Sequence, residues 1–155
     1  MVKEGAEAFS HASITTVHVT VLSGADVGDK GLIGDQELWK SDGTTAGTVL
    51  VKDIQSGLQG SIPRYLTKLN GTLSLTADGG VNGRELWKSD GTAAGTVLVK
   101  DIKAVAAGSD PLYLTNVNGK LCFRASDGVN GYELWKSDGT AACTVLVKDI
   151  NPGAN

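Results

Sequence analysis

Cysteine, histidine, aromatic residues and surplus positive charge are all scarce in this 155-residue chain, and each scarcity removes a class of protein. Two cysteines, Cys122 and Cys143, cannot supply a disulfide framework. Two histidines, His11 and His18, cannot make a histidine-rich metal site. Aromatics are 5% of residues, so a core must be built from Val, Leu, Ile and Ala, and a hydrophobic content of 41% suffices for one. Fourteen basic against seventeen acidic residues give a net charge of −3, which excludes a nucleic-acid binder relying on a basic surface. No apolar run approaches the roughly 20 residues of a membrane span. The segment Met1 to Glu7 is acidic and lacks an apolar stretch, so no signal peptide is expected at this end. Glycine, by contrast, is abundant: 21 residues, roughly twice the average usage of about 7%, pointing to many turns.

What dominates the sequence is repetition. ELWKSDGTTAGTVLVKDI (37–54), ELWKSDGTAAGTVLVKDI (85–102) and ELWKSDGTAACTVLVKDI (133–150) differ only at Thr45/Ala93/Ala141 and at Gly47/Gly95/Cys143. The spacing is 48 residues, 85 − 37 and 133 − 85. Tyr65-Leu66-Thr67 matches Tyr113-Leu114-Thr115, Asn70-Gly71 matches Asn118-Gly119, and Val81-Asn82-Gly83 matches Val129-Asn130-Gly131. One supersecondary unit has been copied.

Each unit reads as four strands. In the middle copy these are Tyr65 to Leu69, Thr72 to Ala77, Arg84 to Ser89 and Thr96 to Ile102. Asn70-Gly71 between apolar runs is a strong hairpin signal, because both residues tolerate positive φ. Leu73, Leu75 and Ala77 alternate with Thr72, Ser74 and Thr76, a period of two. The run Val97-Leu98-Val99 predicts a strand buried on both faces. No window shows helical apolar spacing. Four short strands per 40–50 residues is the pattern of a β-propeller blade, a small sheet that must stack on neighbours. The expected fold is therefore all-β, with blades of four antiparallel strands.

The motifs ELWKSDGT and GTVLVKDI resemble the ELWxxDGT repeat family, a propeller-type repeat of bacterial, often surface or secreted, proteins. The resemblance covers about residues 29 to 155. It implies blades and an extracellular or cell-surface setting, and no named reaction. The third strand with its Trp is similar to that of tryptophan-aspartate repeat propellers. The Ser-Asp-Gly-Thr turn is similar to the Asp-box hairpin of sialidase-type propellers. Cys143 departs from the pattern, and the first copy is degenerate before Asp29: counting back 48 places Leu22-Ser23 where Asn70-Gly71 stands.

The chain holds about three units, too few to close a ring. The reading is a divergent N-terminal strand segment (1–24), able to complete a blade across the seam, then a degenerate first blade (25–62), a second (63–110) and a third (111–155). Ring closure by oligomerisation follows, with a six-bladed dimer as the expected homo-oligomer. The competing reading is a fragment of a longer array.

Candidate sites divide between turn chemistry and ligand chemistry. Trp39, Trp87 and Trp135 are read as packing between blades, with the indole N–H finding a partner. Asp42, Asp90 and Asp138 with Thr44, Thr92 and Thr140 are read as Asx-type turns. The loops from Asp78 and Asp127 resemble calcium loops in composition. The EF-hand pattern is absent, so no metal site is expected and calcium is the second reading. Cys122 reads as a small strand hydrophobe. Ser10, His11 and His18 invite a hydrolase reading, which needs groups within hydrogen-bond reach oriented by a third. Function tends to sit on varied loops held by a rigid scaffold. That favours the blade face carrying Asp78, Asn82, Arg84, Asp127, Asn130 and Tyr132, with Arg64, Tyr65, Asp110 and Tyr113 nearby. The leading expectation is a non-enzymatic binding or adhesion module, multivalent toward a glycan or surface protein. A hydrolase with its site in the N-terminal unit or central channel is the alternative, and a structural propeller fragment without ligand is the third reading.

Overall fold

The computed structural model describes residues 8–11, 14–22, 36–57, 59–150 and 152, with side chains from residue 36 onward. The described residues form strands and turns without helix. Twelve strands make three four-stranded antiparallel meanders. The first sheet contains β1 (Ala8–His11), β2 (Ile14–Leu22), β3 (Glu37–Ser41) and β4 (Val49–Lys52). The second contains β5 (Arg64–Leu69), β6 (Thr72–Asp78), β7 (Arg84–Ser89) and β8 (Val97–Lys100). The third contains β9 (Leu112–Val117), β10 (Lys120–Ser126), β11 (Tyr132–Ser137) and β12 (Val145–Lys148). Among the described residues the sheets close no barrel or ring.

The sheets stack face to face, and their apolar alternation supplies the two cores. Leu38, Val51 and Ile54 of the first sheet meet Leu73, Leu75 and Ala77 of the second, with Leu66 and Trp87 packed alongside. On the opposite face of the second sheet, Leu69, Leu86, Val99 and Ile102 meet Leu114, Leu121, Phe123, Ala125 and Trp135 of the third. The second sheet is thus apolar on both faces. Its outer strand is only partly covered: Val99 is buried, Leu98 half-buried and Val97 exposed. The apolar run Val97-Leu98-Val99 is therefore less buried than the expectation of two covered faces. The fourth strand also stops at Lys100, because Asp101-Ile102 turns into the connection to the next sheet.

The same side-chain bridges link the second sheet to each neighbour. Lys40 Nζ donates to Gly91 O (2.9 Å) and Lys52 Nζ to Thr96 O (2.8 Å). One repeat later, Lys88 donates to Gly139 O (3.0 Å) and Lys100 to Thr144 O (2.8 Å). At the first strands, Thr67 Oγ1 lies 3.0 Å from Leu114 O, and Asn116 Nδ2 donates to Lys68 O (2.8 Å).

The first sheet departs from a uniform 48-residue offset. Ala77 pairs with Glu85, so that offset would set Asp29 opposite Glu37; Leu22 stands there instead. Strand β2 therefore lies earlier than counting back suggests. Both β1 and β2 belong to the same sheet as β3 and β4.

Candidate functional site

The Ser-Asp-Gly-Thr turn is built three times with one hydrogen-bond pattern. Asp42 Oδ1 accepts from Thr44 N (2.9 Å) and Thr44 Oγ1 (2.7 Å), and Gly43 N donates to Ser41 Oγ (3.0 Å). Thr48 Oγ1 donates to Thr44 O (2.7 Å). Asp90 and Asp138 repeat the arrangement with Thr92 and Thr140. The aspartates act as Asx-turn acceptors, as their spacing suggests. These bonds hold all three carboxyls below the ordinary Asp range. Asp138 falls furthest, to about 2, with Thr140 and then Cys143 as the main causes.

At the opposite end of each sheet lies a carboxylate clamp that sequence reasoning missed. Glu85 is fully buried. Its Oε1 accepts from Ser109 N (2.7 Å) and Lys103 N (3.3 Å), and its Oε2 from Ser109 Oγ (2.5 Å) and Ile102 N (3.2 Å). Glu37 does the same for Ile54, Gln55 and Ser61, and Glu133 accepts from Ile150 N (3.0 Å). Burial pushes the Glu85 carboxyl above its ordinary value against the opposing pull of these donors. The recurrence of Glu before Leu-Trp in all three copies was the available signal. The clamp folds each inter-sheet connection over the hairpin end.

That folding gathers the varied residues. Asp78 N donates to Ser61 O (2.8 Å), Asp110 N to Arg84 O (3.0 Å) and Ser126 N to Ser109 O (3.0 Å). Gly108 runs beside Arg84 in a parallel bridge so tight that a Cβ at Gly108 would strike the Arg84 backbone. Several of the expected ligand residues are occupied structurally. Arg84 Nη1 donates to Ile62 O (2.8 Å), and its guanidinium is partly desolvated and held near Arg64. Asn82 Nδ2 donates to Asp101 Oδ2. Asp127 accepts from Val129 N, Asn130 N and Asn130 Nδ2, and Asp78 Oδ1 from Gly80 N. In the third sheet Tyr132 replaces Arg84, and the Arg124 guanidinium lies 4.0 Å over its ring.

The exposed members are Arg64, Tyr65, Tyr113 and Tyr132. Tyr65 and Tyr113 stand edge to face, ring centroids 6.0 Å apart, on the neighbouring first strands β5 and β9. Both have positive φ, 53° and 60°, as do Ile62 and Asp110 just before them. Such backbone costs about 1–3 kcal/mol per residue. It is held by Ile62 N donating to Gln36 O (2.9 Å), by the Arg84 bond, and by Thr67 and Thr115 hydroxyls donating to the Tyr65 and Tyr113 carbonyls (3.0 Å each). Both rings are exposed, Tyr113 to 65%.

Trp87 and Trp135 lie between sheets, as expected, but their indole N–H groups find no protein acceptor. Cys122 and Cys143 are free thiols. The side chains of Ser10, His11 and His18 lie outside the described residues. The backbone pairs His18 with Ala8 and His11 with Ile14, which sets the two histidines apart along the hairpin. Among the described residues there is no cluster of three or more His, Cys, Asp or Glu suited to a metal, and no helix long and apolar enough to cross a membrane. No protein-family model, curated protein or solved structure matches this chain.

Proposed function

We propose that the chain is a non-enzymatic carbohydrate-binding module, its three sheets acting as blades of a β-propeller that two copies close. The exposed Tyr65–Tyr113 pair carries this reading. Strained backbone is retained at the same position in both copies, and it carries exposed aromatic rings on the strands next to Arg64 and Asp110 in the sequence. Aromatic faces with polar neighbours suit the apolar faces and hydroxyl rims of sugar rings. The blade reading is supported by the four-stranded meanders stacked face to face and by the adjacency of β5 and β9, the first strands of successive sheets. Repeated weak sites on one ring face would act by avidity, which fits the surface setting implied by the ELWxxDGT resemblance.

Calorimetric titration of the protein with a panel of neutral and acidic polysaccharides tests the reading. Binding to at least one glycan class is expected, with Tyr113→Ala weakening it at least tenfold while the circular dichroism stays unchanged. Silence across the panel, or binding indifferent to Tyr113→Ala, would refute it.

A further inference from the structure

The third sheet exposes a face that the first two bury. Leu38 and Leu86 are 0% and 1% exposed, whereas Leu134 at the same repeat position is 40% exposed. Ile54 and Ile102 are each 9% exposed against 64% for Ile150, and Val147 is likewise exposed where Val51 and Val99 are buried. Lys136 and Lys148 stand where Lys40/Lys88 and Lys52/Lys100 reach across to the next sheet, and both are exposed without a hydrogen bond or ion pair among the described residues.

The first sheet shows the complementary vacancy. Leu50 is exposed, whereas Leu146 packs into the core between the second and third sheets. Thr48 is half-buried, whereas Thr96 and Thr144 are fully buried. The Gly43 and Thr48 carbonyls occupy the repeat positions of the lysine acceptors Gly91/Gly139 and Thr96/Thr144.

We infer that the exposed face of the third sheet is a docking surface for the first sheet of a second copy, with Lys136 and Lys148 donating to the partner's Gly43 and Thr48 carbonyls around an apolar patch of Leu134, Val147 and Ile150. This rests on the ring reading above and specifies its seam. The inference continues an interface that the molecule already makes twice with the same residues. Charge agrees: the Thr92 hydrogen bonds depress Asp90 most and Lys40 adds to them across the internal interface, and Asp42 would face Lys136 in the same relation. Unlike the internal interfaces, this one joins two molecules, so it opens on dilution before the sheets unfold.

The test places a photo-reactive side chain at the seam, Lys148→p-benzoylphenylalanine, in a mixture of isotopically light and heavy protein. Light scattering should show a mass near twice 16.0 kDa, and the mixed-isotope cross-link should join residue 148 to the partner peptide spanning 37–52. Lys136→Met and Lys148→Met should each raise the dimer dissociation constant roughly tenfold, as loss of a charge-assisted hydrogen bond does, with circular dichroism unchanged. A dimer cross-linked through two third sheets overturns the seam, as does a dimer indifferent to both lysine variants. A monomer at every concentration that still binds polysaccharide overturns the seam and leaves the binding reading standing. A monomer that binds nothing overturns both.

Discussion

Leu86 and Leu134 sit in identical Glu-Leu-Trp-Lys-Ser-Asp-Gly-Thr segments, and one is sealed between sheets while the other faces solvent. The turns that follow them are nonetheless alike: Thr92 Oγ1 and Thr140 Oγ1 each donate to their aspartate at 2.7 Å. The difference separates two kinds of information in the repeat. Turn chemistry is local and is completed within each copy. Burial is collective and depends on whether another sheet lies alongside.

The widest gap should appear when the leucine is removed from each copy. Leu86→Ala opens a cavity between the second and third sheets and should cost about 2–5 kcal/mol. Leu134→Ala, measured on dilute protein, should cost no more than about 0.5 kcal/mol. Urea unfolding at low concentration checks both. Equal losses there would mean that something already covers Leu134, and the comparison between copies would fail.

A smaller gap is expected for the lysines. Lys88 Nζ donates to Gly139 O from a half-buried position, tying the second sheet to the turn of the third. Lys88→Ala should cost about 1 kcal/mol, the net worth of one such bond. Lys136→Ala, lacking that acceptor within the chain, should leave the dilute protein's urea midpoint unchanged. A matching loss in both variants would show that the stem of the lysine, rather than its ammonium, is what matters.

Much of this was legible beforehand. The period-two alternation of Leu73, Leu75 and Ala77 and the Asn70-Gly71 hairpin located β5 and β6 almost to the residue, because strand and turn are local properties. The Asx turns were readable for the same reason. The first sheet was harder. Its register against β3 is set by pairing across a long hairpin, and counting by 48 residues could not reveal that Leu22 replaces Asp29 opposite Glu37. The varied loops do converge, but Asp78, Asn82, Arg84 and Asp127 spend their polar groups on neighbouring backbone or side chains, and partner choice at that range is not written in composition. The Glu85 clamp was visible only as a recurring residue, since its acceptor role appears once the chain from Ile102 to Ser109 folds back over it.

The finest difference between copies lies in the turn itself. Cys143 stands where Gly47 and Gly95 pass close under their aspartates, and a Cβ at either glycine would crowd that carboxylate. In the third copy the backbone gives slightly: Cys143 N to Thr140 Oγ1 is 3.3 Å, against 2.9 Å for Gly95 N to Thr92 Oγ1. The glycines carry no side chain at this position, and after Thr140 the Cys143 thiol is the second cause holding Asp138 at about 2. A carboxyl depressed on folding stabilises the native state above its unfolded pKa, and that contribution disappears as pH falls through the folded value. For Asp138 the window runs from about 4 in the unfolded chain down to about 2. Cys143→Gly should therefore raise the Asp138 pKa and narrow that window from below, leaving Asp90 untouched. Carboxyl-carbon NMR titration of both aspartates reads this directly. An Asp138 pKa that stays near 2 in Cys143→Gly would assign the depression to Thr140 and Lys120 alone.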